Sequence, residues 1–198
     1  MRLIESHIST CDFVFERGQT YLIEASSGAG KSSLCSFIVG HRHDYEGQIL
    51  FDSRDIRTFS VADWTKIRQK ELSLMYQDLR LFPELTAMEN VEIKNQLTHF
   101  KTRKEIEDLF DALGIADKIS AKIGRMSYGQ QQRVAFIRAL AQPFDFLIAD
   151  EPISHLDDDN GKVMGEIMMD EIKRQGAGLI VTSIGKYPPL PFTNFYKI

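Results

Sequence analysis

Apolar residues along this chain follow two rhythms. Short, nearly unbroken runs of β-branched and aromatic residues alternate with longer stretches in which apolar residues recur every three or four positions. The runs read as strands and the periodic stretches as helices, which predicts an α/β core. Phe13–Phe15 reads as a strand with a turn after it at Glu16–Gln19, and Thr20–Glu24 as a second strand. A helix follows, with Leu34, Phe37 and Ile38 on one face and Gly40 closing it. Gly47–Phe51 and Leu72–Tyr76 read as further strands. Phe144–Ala149 and Leu179–Thr182 are almost continuously apolar, the pattern of central parallel strands covered on both faces.

The middle of the chain, from about 78 to 125, is helical and more polar. Thr102 with Glu105 forms a capping box. Ile106, Leu109, Phe110 and Leu113 then repeat at helical spacing, and Gly114 ends the run. The organisation predicted is one domain over residues 1–198. Its core takes in about 1–77 and 136–198, and a helical subdomain at about 78–135 is inserted between core strands.

The strand Thr20–Glu24 runs straight into Ala25-Ser26-Ser27-Gly28-Ala29-Gly30-Lys31-Ser32-Ser33. Glycines at such spacing let consecutive N–H groups turn toward one anion, and the following helix adds the positive end of its dipole. A lysine there reaches the β and γ phosphates of a nucleotide, and the Ser32 hydroxyl is a hard oxygen ligand for Mg²⁺. The fold class is therefore an α/β P-loop NTPase core with a mostly parallel sheet. The pattern's first glycine is Ala25 here. Alanine resists positive φ, so a shift at the loop entrance is expected. Downstream, the run Phe144–Ala149 ends in Asp150-Glu151-Pro152. An aspartate at a buried strand end is placed to hold Mg²⁺, and the adjacent glutamate to polarise an attacking water as general base.

Composition narrows the field. A chain of 198 residues buries a core without staples. The net charge of −4 and the lack of a clustered basic stripe argue against a nucleic-acid surface. Cys11 and Cys35 read as reduced, packed thiols of a cytosolic protein. No run reaches the ~18 apolar residues of a membrane helix, and Met1–Ser6 lacks a signal-peptide core. His41 and His43 read as exposed histidines at a helix end. Met164, Met168 and Met169 read as packing, and Asp157–Asn160 as a helix cap rather than a calcium loop. Arg54, Arg57, Lys66, Arg68 and Lys70 read as solvated surface.

Met126-Ser127-Tyr128-Gly129-Gln130-Gln131 resembles the L-S-G-G-Q signature of the ABC (ATP-binding cassette) ATPases. Ser127 and Gln130 also form a capping box, which marks a helix start. Tyr76-Gln77-Asp78 looks like the family's Q-loop, Leu81–Val91 like the segment after it, and Ser154-His155-Leu156-Asp157 like its D-loop. The order and spacing fit over nearly the whole chain. The wording around Gln77 and the signature is similar to that of small bacterial exporter ATPases of the lipoprotein-release and cell-division type. The resemblance implies ATP and Mg²⁺ as ligands. Ala25, Ser26, Ser27, Gly28, Ala29, Gly30, Lys31, Ser32 and Ser33 would cradle the phosphates, and Ser32, Gln77 and Asp150 would hold the metal. Ser127, Gly129 and Gln130 would meet the ATP of a second ABC subunit. It also implies a transmembrane permease partner and a peripheral place on the inner face of the membrane.

Three further departures from the family pattern matter. Tyr128 stands at the first signature glycine, where its ring either crowds the interface or stacks on its neighbours. Ser183 stands where the family places its switch histidine. Serine donates one hydrogen bond but carries no charge, so slow hydrolysis is expected, with Glu151, Gln77 and Ser183 as the catalytic set. The early strand with an adenine-stacking aromatic looks short, and Phe13 and Phe15 read as core. Three readings follow: the ATPase subunit of a transporter, a nucleotide-gated module with little catalysis, and a soluble ABC ATPase that is not a transporter.

Overall fold

The computed structural model describes residues 13–26 and 28–197. In chain order the elements are β1 (Thr20–Glu24), α1 (Lys31–Ile38), β2 (Leu50–Phe51), β3 (Arg54–Asp55), α2 (Val61–Lys70), β4 (Leu72–Met75), α3 (Ala87–Asn95), α4 (Arg103–Ala112), α5 (Tyr128–Leu140), β5 (Phe146–Asp150), α6 (Asp158–Gln175), β6 (Gly178–Ser183) and β7 (Asn194–Lys197). Five strands form one sheet in the order β4-β5-β6-β1-β7, and every pair in it is parallel. β2 and β3 form a separate antiparallel pair.

Alternation along the strands divides the core. Tyr21, Ile23, Ile148 and Ile180 pack with Leu34, Cys35 and Ile38 of α1 and with Trp64 and Ile67 of α2. Leu22, Leu147, Ala149, Leu179 and Val181 pack on the other side, with α5, α6 and the helices α3 and α4. Coverage on both faces is why β5 and β6 read as continuous apolar runs rather than alternating ones. Met164 and Met168 are fully buried in that second layer, as packing residues.

Several expectations need correction. Phe13–Phe15 is not a strand. Its rings instead join an aromatic group, Phe15 edge-on to Tyr21 at 5.0 Å and Phe13 edge-on to Tyr196 at 4.8 Å. Gly47–Phe51 contracts to a two-residue strand. Arg68 is not solvated surface. Its guanidinium donates to the Val39 and Gly40 carbonyls at 3.0 and 2.8 Å and so closes the end of α1. Arg54 is engaged too, in a two-bond pair with Asp63. The boundary drawn at 135 falls inside α5. Cys11 lies outside the described residues, and Cys35 is buried as expected.

Gly40 explains how α1 meets α2. Its φ is +65°, and a β-carbon there would lie 2.2 Å from the Trp64 ring. Gly18 has a similar φ, +76°, but open space around it. Gly18→Ala should therefore cost only the backbone strain, about 1–2 kcal/mol. Gly40→Ala should cost that and the overpacking, roughly 2–4 kcal/mol in all. Urea unfolding of the two variants checks the difference, and equal losses would contradict it.

Candidate nucleotide site

β1, β4, β5 and β6 run the same way, so their carboxyl ends share one edge of the sheet, and each hands its next residues to the site. Beyond β1, the Ala25 N–H donates to the Ser183 carbonyl at 3.2 Å. Ala25 does not take the left-handed conformation, so the expected cost of replacing glycine there does not arise. Gly28 and Gly30 do take it, at φ +82° and +99°. Gly30 opens α1 with no side-chain cap, which leaves first-turn amides without a side-chain acceptor at the positive end of the helix. Lys31 is buried, and its ammonium donates to the Ala25 and Ser26 carbonyls at 3.0 and 2.9 Å. Ser33 accepts a bond from Arg42 at 2.9 Å. Ser27 lies outside the described residues.

Three loops meet through side chains. The Ser32 hydroxyl donates to Gln77 Oε1 at 3.3 Å, and Gln77 Nε2 donates to Glu151 Oε2 at 3.1 Å. The Gln77 carboxamide thus bridges the glycine loop to the residue after β5. Asp150 accepts a bond from the Thr182 hydroxyl. It lines a cleft of about 420 Å³ together with Ser32, Gln77 and Tyr128. Glu151 is buried and has a left-handed backbone at φ +51°, an unfavourable conformation for a side chain of this size. Burial pushes its carboxyl pKa above the ordinary range. Lys31 pulls against the shift, Asp150 adds to it, and His155 opposes it weakly.

Ser183 is fully buried, and its hydroxyl donates to the Lys186 carbonyl at 2.9 Å. It closes the turn after β6 rather than offering a free donor. Lys186 reaches across to the Leu156 carbonyl at 2.6 Å, and sequence reasoning missed this contact.

Helix α5 starts as its sequence predicts. Ser127 Oγ accepts from the Gln130 N–H, and Gln130 Oε1 accepts from the Ser127 N–H. Gly129 is packed against the loop before α6, where a β-carbon would lie 3.3 Å from the His155 carbonyl. Side chains of α5 hold carbonyls of the loops that bear the site. Tyr128 donates to the Gln77 carbonyl at 2.9 Å, Gln132 to that of Glu151 at 3.3 Å, and Arg138 to those of Leu79 and Arg80. The Tyr128 ring stacks edge-on against His155, one of the two outcomes expected for it. Nothing in residue spacing announces Gln132 or Arg138, because their partners lie far away in sequence. Asp157 caps α6 by accepting the Asn160 N–H, as expected.

Residues 8–154 match the ABC transporter family. The chain belongs to the ABC transporter family. The cassette is 32% identical over 176 residues to the lipoprotein-releasing system ATP-binding protein LolD of Roseobacter denitrificans, covering 87% of this chain and 77% of that one. It is 31% identical over 185 residues to an uncharacterized ABC transporter ATP-binding protein of Mycobacterium tuberculosis, covering 92% and 73%. Among solved structures it resembles a dimeric bacterial ABC transporter cassette, with a TM-score of 0.78 at 27% identity over 86% of this chain and 77% of that one. It also resembles a dimeric cassette in a post-hydrolysis state bound to ADP and Pi, with a TM-score of 0.75 at 28% identity over the same shares.

Beside the Gln77 loop the cassette gathers cations. Arg80 lies 4.0 Å over the Tyr76 ring, and His41 stacks on the other part of that group. Lys94 donates to the Arg68 carbonyl at 3.4 Å. Burial, then repulsion from Arg138 and Arg68, brings its pKa down to about 8. An unfolded lysine keeps its proton to about pH 10.4. Between those values the unfolded chain holds more protons, so Lys94 makes stability rise with pH across that window. Lys94→Met should remove this rise and stabilise the cassette near neutral pH. Denaturant unfolding at about pH 7 and about pH 9.5 checks it, and a variant with an unchanged slope would contradict it.

Proposed function

We propose that the cassette binds Mg-ATP between the Ala25–Ser33 loop of one copy and the Ser127–Gln130 helix start of a second, and hydrolyses it slowly. The observation that carries this reading is the Ser32–Gln77–Glu151 hydrogen-bond chain, in which oxygens able to ligate a metal adjoin a buried carboxyl group. Ser26, Gly28 and Gly30 would turn backbone N–H groups toward the phosphates, and Lys31 would add the charge, while the Ala25 and Ala29 N–H groups hold the loop's shape by donating to the Ser183 and Ser26 carbonyls. Ser32, Gln77 and Asp150 would hold Mg²⁺. Among the described residues no three His, Cys, Asp or Glu side chains gather into a cage. A donor set of one hydroxyl, one amide and one carboxylate suits Mg²⁺, which keeps waters and takes phosphate oxygens. When bound, the ion neutralises charge on the phosphoryl oxygens.

Glu151 takes the proton of the attacking water, a role its raised pKa favours. Gln77 orients that carboxylate through its Nε2 and would offer its Oε1 to the metal. Ser183 offers no cation, and its hydroxyl is already bonded to Lys186, which supports slow turnover. The same observation favours the second reading, a nucleotide-gated module with little hydrolysis. Among the described residues no helix is long and apolar enough to cross a membrane. A separate permease partner supplies the spans, with residues about 78–135 as the subdomain that couples to it and the cassette on the inner face of the membrane. The lipoprotein-release relatives support this assignment.

The test is ATP binding and turnover by the pure protein and three variants. Lys31→Ala should weaken binding at least tenfold. Glu151→Gln should keep binding and lose about 10²-fold or more in turnover. Ser183→His should raise turnover. A Glu151→Gln protein with wild-type turnover sinks the assignment of the base. If Ser183→His is no faster, Ser183 is not what slows the site.

A further inference from the structure

We propose that Tyr128 is a positioning residue. Its hydroxyl on the Gln77 carbonyl fixes where the Gln77 carboxamide stands between Ser32 and Glu151, and so ties the start of α5 to the reacting end of the site. The inference rests on the reading of Ser32, Gln77 and Glu151 as the nucleotide site.

The side chain touches both loops that carry the reacting groups. Its hydroxyl reaches the Gln77 carbonyl at 2.9 Å. Its ring meets the His155 ring edge-on, with centroids 4.5 Å apart, in the segment that follows Glu151. The residue is 43% exposed, so its hydroxyl has water available and bonds a backbone carbonyl instead. A neutral bond at such a surface adds little to global stability. What it sets is geometry.

The Gln77 loop needs holding. Leu79 and Arg80 are consecutive left-handed residues, at φ +58° and +47°, and neither is glycine. Such a turn keeps its shape only where its surroundings over-determine it. Arg138 holds the Leu79 and Arg80 carbonyls, and Tyr128 holds that of Gln77. Both side chains belong to α5, one at its first residue and one in its last turn. Helix α5 thus grips the loop at its front and its back, and a shift of the helix start is passed to the Gln77 carboxamide. Glycine at position 128 would make neither contact. Phenylalanine keeps the ring on His155 and removes only the bond to Gln77.

The experiment uses the full chain with Tyr128→Phe, Gln77→Ala and the double variant. For Tyr128→Phe we expect kcat to fall about fivefold with ATP affinity unchanged. Amide hydrogen exchange across residues 76–80, measured without nucleotide, should become faster. Gln77→Ala should lower kcat further, and adding Tyr128→Phe to it should change nothing, because the hydroxyl acts through Gln77. Multiplicative losses in the double variant overturn the proposal, and so does unchanged exchange in Tyr128→Phe. A wild-type protein that does not hydrolyse ATP would defeat the ATPase reading alone. The exchange measurement would still decide whether Tyr128 holds the loop.

Discussion

The hydrogen-bond chain from Ser32 through Gln77 to Glu151 is the constraint on which the rest of the site depends. Its three members come from the first turn of α1 and from just beyond β4 and β5, which are not neighbours in sequence. The parallel sheet brings the strand ends to one edge, but a sheet does not fix side chains to within a few tenths of an ångström. That work falls to α5. Tyr128, Gln132 and Arg138 each donate to a carbonyl on one of the loops that emerge from this edge. Two of those loops contain left-handed residues other than glycine, Glu151 in one and Leu79 with Arg80 in the other. Each such residue costs on the order of 1–2 kcal/mol, which packing of the buried face of α5 offsets. The cassette thus stores backbone strain in the loops that leave this edge of the sheet.

Electrostatics at the site follow from the same arrangement. Burial and the neighbouring Asp150 raise the Glu151 pKa, while Lys31 limits the rise. A carboxylate shifted toward neutrality is a better base than an ordinary one. Its folded pKa lies above its unfolded value, so the charged form at neutral pH is a burden on stability, and the stability it does contribute is lost as pH rises through the raised pKa. The turn after β6 is tied back to the loop before α6 and to the first residue of α6. Ser183 closes it, and Lys186 points its ammonium at the Leu156 carbonyl.

The parts legible in the sequence are those whose residues are contiguous. The glycine loop with the helix behind it, the apolar strand ending in Asp150-Glu151, and the Ser127–Gln130 capping box are each one unbroken stretch of sequence. Helix α2 was harder to see, because only Trp64 and Ile67 are buried along it, although Ser60 and Asp63 form a capping box that marks its start. β7 is a four-residue edge strand with Phe195 exposed, too short and too polar in setting to stand out. Arg68 looked like surface because long side chains carry a polar tip past an apolar stem. The grip of α5 was beyond reach for a different reason. Tyr128 finds its partner 51 residues away and Arg138 finds its own 58 away, and only the fold supplies those distances.

The role proposed for Glu151, the last member of the Ser32–Gln77–Glu151 hydrogen-bond chain, is that of a base whose deprotonated form drives hydrolysis. The pH dependence of kcat tests it most directly, with saturating Mg-ATP and over a range in which the fold persists. The expected result is an acid limb in kcat for the wild-type protein that is absent from whatever activity Glu151→Gln retains. A profile that stays flat on the acid side, or the same limb persisting in Glu151→Gln, would contradict it.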